Sequence, residues 1–288
     1  MQQWRYPYPV RTVEVLDGIP IAFLDEGQGP PLVLLHGLGS NAKGFWKTIE
    51  GLKSTFRCIA LDLPGYGRSG QGDYPFSMHF FARAVQSFLA RLDLHEVTLA
   101  GHSMGGQIAL QTALEDTSRL HSLVLLAPAG FETFSESHRR WFDQIYQPAL
   151  LEKLPESQIR RNFHLNFVDF PPDAEFMITD RMRLREERAA YRYFCRLQGS
   201  CVKAMLAEPI FDELPRIELP VLVIFGQDDF LIPNRIVHPF STTREIASQG
   251  TLRLPAGELH MLEGCGHFPQ WECADEVNAA IKAFLNPT

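Results

Sequence analysis

No apolar run in this sequence of 288 residues approaches the ~18 that a bilayer-spanning helix requires. The opening stretch Met1-Gln2-Gln3-Trp4-Arg5-Tyr6-Pro7 has neither the apolar core nor the cleavage site of a signal peptide. Cysteine is scarce. Cys58, Cys195, Cys201, Cys265 and Cys273 form an odd set without the C-x-x-C spacing of a metal site. They read as free, mostly buried thiols of a reducing compartment, so the expected location is cytoplasmic. No basic run is present, and the formal net charge is -7, which argues against a nucleic-acid partner. Internal repeats and low-complexity tracts are also lacking. What remains is a chain with 45% apolar residues, enough to bury a sizeable core as one large domain or a core with an insertion.

Along the chain, Thr12 to Asp25 reads as a strand pair turning at Asp17-Gly18. Leu32-Val33-Leu34-Leu35 is a continuous apolar run, as a central parallel strand covered on both faces requires. His36-Gly37-Leu38-Gly39-Ser40 follows it, with His36 expected to pack the turn. Cys58 to Leu61 is the next strand and leads into Asp62-Leu63-Pro64-Gly65-Tyr66-Gly67-Arg68-Ser69-Gly70. Gly65-x-Gly67-x-x-Gly70 imitates a dinucleotide fingerprint, but no helix opens after it, so that reading is rejected. Ser77 caps a helix expected through Leu92. Leu123 to Ala127 is a further buried strand. From about Phe131 to Arg216 strand-like runs give way to amphipathic helical segments. There Arg181, Arg185, Arg188 and Arg192 share a stripe that reads as a solvated face. Strands return at Leu219–Phe225 and Glu258–Leu262, and a last helix runs from Ala274 to Leu285.

The chain is organised around Gly101-His102-Ser103-Met104-Gly105-Gly106. A strand, Val97 to Ala100, meets a helix there through a tight turn. Such a turn forces strained backbone on Ser103 and lifts its hydroxyl clear of the sheet, while the glycines let strand and helix come close. Strands alternating with helices imply a mainly parallel sheet, which binds ligands at its carboxyl edge. Ser103, Leu38, Asp229 and His267 all fall just past strand ends and should gather there.

At these residues the chain resembles the α/β-hydrolase family. The resemblance rests on His36-Gly37-x-Gly39, Asp62-x-Pro64-Gly65-x-Gly67-x-Ser69, the Ser103 turn, Gly226-x-x-Asp229 and Gly266-His267-x-Pro269-x-x-Glu272, in that order. It implies a mostly parallel sheet flanked by helices, with residues 1–130 and 217–288 as two parts of one core and 131–216 as an inserted helical cap. It also implies a triad of Ser103 as nucleophile, His267 as base and Asp229 as the acid that orients it. Asp228 is left to pack beside the site or cap a turn, and Glu132 is the nearest fallback acid. His102 should point away from the reaction, His260 should pack within its strand, and Glu272 should support the base loop. The oxyanion donors implied are the backbone N–H groups of Leu38 and Met104. No metal or organic cofactor is implied.

The expected activity is hydrolysis of a small carboxylic ester through an acyl-enzyme, on short to medium acyl chains. Serine at 103 argues against the dehalogenases and epoxide hydrolases of the family, which use aspartate there. One alternative is a carbon–carbon hydrolase of ring-cleavage diketones. Ser103-Met104-Gly105-Gly106 and His267-Phe268-x-Gln270-Trp271-Glu272 resemble that subfamily. The loop from His36 to Asn41 departs from its serine-glycine-proline-glycine run. A diketone acid also needs a cationic clamp, and the candidates Arg188 and Arg192 lie on the solvated stripe. Phe131, Phe134, Trp141, Phe142, Phe163, Phe167 and Phe176 are candidates to line an apolar acyl pocket. A reading of another class is a small-molecule receptor on the same fold, binding without rapid turnover.

Overall fold

The protein is described by a computed structural model over residues 5–16 and 18–286. Its strands are β1 Arg11–Val15, β2 Ile19–Glu26, β3 Pro31–Leu35, β4 Arg57–Leu61, β5 Val97–His102, β6 Leu120–Leu126, β7 Val221–Gly226 and β8 Gly257–Leu262. They form one sheet in the order β1-β2-β4-β3-β5-β6-β7-β8. β2 pairs antiparallel with β1 and with β4; every other neighbouring pair is parallel. The mainly parallel sheet read from the sequence is therefore present. Asp17, in the expected first turn, lies outside the described residues.

The central strands are apolar at successive positions because both faces are covered. Val33, Leu35, Leu99, Leu123, Leu125, Val223 and Phe225 face one core. Their neighbours Leu32, Leu34, Ala100, Val124, Leu126, Leu222 and Ile224 face the other. Helices α2 (Met78–Arg91), α3 (Met104–Glu115) and α9 (Thr243–Leu252) cover the first face. Helices α1 (Trp46–Leu52) and α11 (Ala274–Leu285) cover the second. Each fully buried Leu, Ile or Val stabilises the fold by about 1.5–3 kcal/mol relative to exposure, so the two cores dominate stability.

Ser77 caps α2 as expected, its hydroxyl accepting from Phe80 N. Two core helices, α1 and α9, escaped the sequence reading. α9 had a signal: Thr242 and Glu245 form a reciprocal capping box. One expectation is corrected at the sheet edge. His260 is exposed on β8, the terminal strand of the sheet, where exposed residues alternate with partly buried ones.

Between β6 and β7 lie α4 (Glu136–Ile145), α5 (Pro148–Leu151), α6 (Glu156–His164), α7 (Glu175–Glu186) and α8 (Arg188–Ala207), with no strand among the described residues. The single stripe read over this region is broken at Glu187, whose extended backbone separates α7 from α8. The short helix α10 (Pro269–Glu272) precedes α11. No helix among the described residues is long and apolar enough to cross a membrane.

Candidate active site

Parallel register brings the strand ends together. Leu35 lies beside Gly101, His102 beside Leu126, and Leu126 beside Ile224. At this edge Ser103 sits between β5 and α3 with φ 52° and ψ -117°. A side chain rarely tolerates that conformation, and it costs of order 1–3 kcal/mol. The flanking glycines are required by contact. A Cβ on Gly101 would stand 2.2 Å from the carbonyl oxygen of Gly105, and one on Gly105 would stand 2.1 Å from that of Leu35.

Beyond β7 and β8 two loops meet. His267 Nδ1 lies 2.7 Å from Asp229 Oδ2. Asp229 is fully buried and His267 nearly so. The other Asp229 oxygen accepts from Leu231 N at 2.7 Å and Ile232 N at 3.0 Å. These donors hold the carboxylate in one orientation, so it accepts from Nδ1 and leaves Nε2 as the ring nitrogen not engaged by Asp229. Asp228 is exposed, and its carboxylate accepts from Gly264 N at 3.1 Å. Glu132 is buried and accepts from Asn234 N and pairs with His238 Nδ1. Glu272 braces the loop that carries His267: one oxygen accepts from Gly266 N, the other from Val168 N and Asp169 N. His36 packs its turn as expected, with Nδ1 at Gly37 O and Nε2 accepting from Leu63 N. Its burial pushes the imidazole down to about 4. Asp62 anchors the neighbouring loop through Ala42 N, Arg68 N and the Tyr6 hydroxyl.

Leu38, Ser103 and His267 all line one cavity of about 410 Å³ between the sheet edge and helices α4 to α8. Of the aromatic residues named from sequence, Phe134, Phe142, Phe163 and Phe176 line it. Phe131 and Phe167 are instead buried in apolar clusters, and Trp141 packs on Phe142. Among the described residues no three His, Cys, Asp or Glu side chains come together as a metal site would need.

Two expectations are overturned here. Arg181 does not belong to a solvated stripe. It lines the cavity, donates from Nη2 to Gly39 O at 2.9 Å, and lies over the Phe194 ring at 3.9 Å. Burial lowers its guanidinium to about 10, still charged at neutral pH. Arg188 and Arg192 are exposed, and Arg192 pairs with Glu152. His102 does not point away from the site: it is buried, lines the cavity and bonds to the backbone of His267.

The comparisons with known proteins agree with this fold. Residues 30–274 match the model of the alpha/beta hydrolase fold family. A 2-hydroxy-6-oxononadienedioate/2-hydroxy-6-oxononatrienedioate hydrolase of Paraburkholderia phymatum is 30% identical, over 96% of this chain and 95% of its own. A probable hydrolytic enzyme of Pseudomonas aeruginosa superposes with a TM-score of 0.86 at 23% identity, covering 98% of this chain and 96% of that one. A bacterial membrane phospholipase A superposes with a TM-score of 0.78 at 27% identity, covering 96% of this chain and 85% of that one. A two-sided parallel sheet, a strained turn at the end of its central strand and a family match over most of the length lead to one conclusion: the chain belongs to the α/β-hydrolase fold family.

Proposed function

We propose that this hydrolase cleaves carboxylic esters through an acyl-enzyme on Ser103, with His267 as base and Asp229 as the orienting acid. The observation that carries the reading is the buried Asp229–His267 pair opening onto the same cavity as the strained Ser103 turn. His267 Nε2 takes the proton as Ser103 Oγ attacks the ester carbonyl. Asp229 holds the Nδ1–H tautomer and stabilises the imidazolium that forms. The backbone N–H groups of Leu38 and Met104 are the donors for the oxyanion, Met104 at the positive end of α3. His267 returns the proton to the leaving alcohol, and water then releases the acid by the same route. In this reading 131–216 is the cap that walls the cavity, and the location is cytoplasmic, a reducing setting in keeping with five unpaired cysteines.

Arg181 sets the substrate's charge in this reading. Among the described residues it has no carboxylate partner, and one hydrogen bond leaves most of its donors open. A largely desolvated cation without a counter-ion, lining a cavity, favours a ligand that brings an anion. The substrate is thus an ester with an acidic group close to the reacting carbonyl. Arg181→Leu is expected to lower the ratio of kcat/KM for an acid-bearing ester over its neutral methyl analogue by about 10- to 150-fold, the range for a charged hydrogen bond. An unchanged ratio removes Arg181 as the anion contact.

Arg181 also favours a second reading, carbon–carbon cleavage of a ring-cleavage diketone acid; the Paraburkholderia relative is named as a hydrolase of 2-hydroxy-6-oxononadienedioate, itself an oxo acid. Ester cleavage is kept first because acyl transfer needs no group beyond the nucleophile, base, acid and oxyanion donors. The test compares kcat/KM for an acyl-chain series of esters with that for a vinylogous 1,5-diketone acid. The esters are expected to win. A diketone preference above about tenfold, ~1.4 kcal/mol of transition-state energy, replaces the ester reading with the second.

A further inference from the structure

His102 occupies the variable position of the turn, one residue before Ser103, where sequence places no demand on it. It is nevertheless 2% exposed. Its Nε2 lies 2.7 Å from the backbone oxygen of His267. A carbonyl only accepts, so Nε2 carries the proton and Nδ1 is bare. Nδ1 has no partner, and a Cβ on Gly37 would stand only 2.9 Å from it. The ring is therefore wedged between the turn after β3 and the base loop, with the Phe268 ring 4.3 Å away and the His267 ring 5.0 Å away. Burial first, then the neighbouring rings of His267 and His36, hold this imidazole well below its ordinary range. It stays neutral and keeps its single donor aimed at the carbonyl.

We propose that His102 is a positioning residue, whose bond to the His267 carbonyl sets the reach between the base and Ser103. His267 is gripped at two points. Asp229 fixes its ring at Nδ1, and His102 fixes its backbone. Because His102 is covalently next to Ser103, the second grip ties base and nucleophile to one rigid turn. Other backbone anchors of this loop, Phe268 N to Asn166 O, Gly266 N to Glu272, Asp228 N to Cys265 O and Gly264 N to Asp228, join it to residues outside the Ser103 turn. A misplacement of about 1 Å between reacting groups costs on the order of 100-fold in rate. The proposal rests on the Ser103–His267 reading above.

The test pairs two substitutions of similar length: His102→Gln, which keeps a donor able to reach the carbonyl, and His102→Met, which does not. With a model ester, His102→Met is expected to lower kcat about 10- to 100-fold with KM within about twofold, and His102→Gln to restore most of the loss. His102→Asn, polar but too short to reach, is expected to behave like Met, and it replaces Met if that variant does not fold. A second readout is the downfield proton resonance of His267 Nδ1–H shared with Asp229. It is expected to shift or broaden in the Met or Asn variant and to hold in the Gln variant. Equal kcat in Gln and Met, or an unmoved resonance in both Met and Asn, overturns the proposal and leaves His102 a packing residue. The resonance is read without turnover. Failure of the wild-type protein to hydrolyse any ester therefore counts against the ester reading alone.

Discussion

Ser103→Ala is expected to abolish ester hydrolysis while leaving the fold intact. Losses of about 10⁴- to 10⁶-fold in kcat accompany removal of the nucleophile from such a group of residues. The substitution removes one oxygen and keeps the Cβ, so the strained backbone at φ 52° is unchanged and the cores are untouched. Turnover of a model ester, the thermal melt and labelling by a fluorophosphonate check it together. The melt is expected to match wild type, and the label to disappear. Retention of more than about a tenth of wild-type kcat, far above those losses, would sink Ser103 as nucleophile. Wild-type protein that takes the label yet turns over no ester points instead to the slow-binding receptor.

Asp229→Asn is expected to lower kcat by about 10⁴, the loss seen when the orienting acid of a serine hydrolase becomes an amide. Asp228→Asn is expected to change it by no more than a few-fold. The two neighbours differ in surroundings more than in chemistry. Asp229 is fully buried and receives Leu231 N, Ile232 N and His267 Nδ1. An asparagine that keeps the two backbone bonds on its oxygen turns its amide N–H₂ toward His267 and selects the wrong tautomer. Asp228 is exposed and its carboxylate accepts from the Gly264 N–H. Steady-state kinetics of the pair decides, and a larger loss at Asp228 reverses the assignment.

The sheet and the Ser103 turn were legible because their constraints are local. Apolar runs such as Val221–Phe225 mark strands covered on both faces, and Gly101 is demanded within the turn itself, where a Cβ would stand 2.2 Å from the Gly105 carbonyl oxygen. Asp229 and His267 were picked out by their place after strand ends together with the resemblance of Gly226-x-x-Asp229 and Gly266-His267-x-Pro269 to the family's motifs, and the structure puts the two side chains 2.7 Å apart. Arg181 was not legible in that way. Spacings of three and four put a residue on a stripe, but they do not say whether that stripe meets water or the wall of a cavity. The break at Glu187 set Arg181 apart from Arg188 and Arg192, and nothing in the pattern announced it. His102 was hidden for another reason: its contact with His267 joins positions 165 residues apart. The proposed oxyanion donors are the backbone N–H groups of Leu38 and Met104, a role that leaves no side-chain signature.

The positive φ at Ser103 also bears on how this protein can be improved. Glycine is the residue that this backbone would choose at 103, since only glycine adopts it freely. A redesign guided by stability alone would select glycine there and discard the hydroxyl on which the proposed chemistry depends. The active sequence is thus not the most stable one for its own backbone. Stabilising substitutions belong in the two cores and on the outer helix faces, and the turn should be held out of any such search.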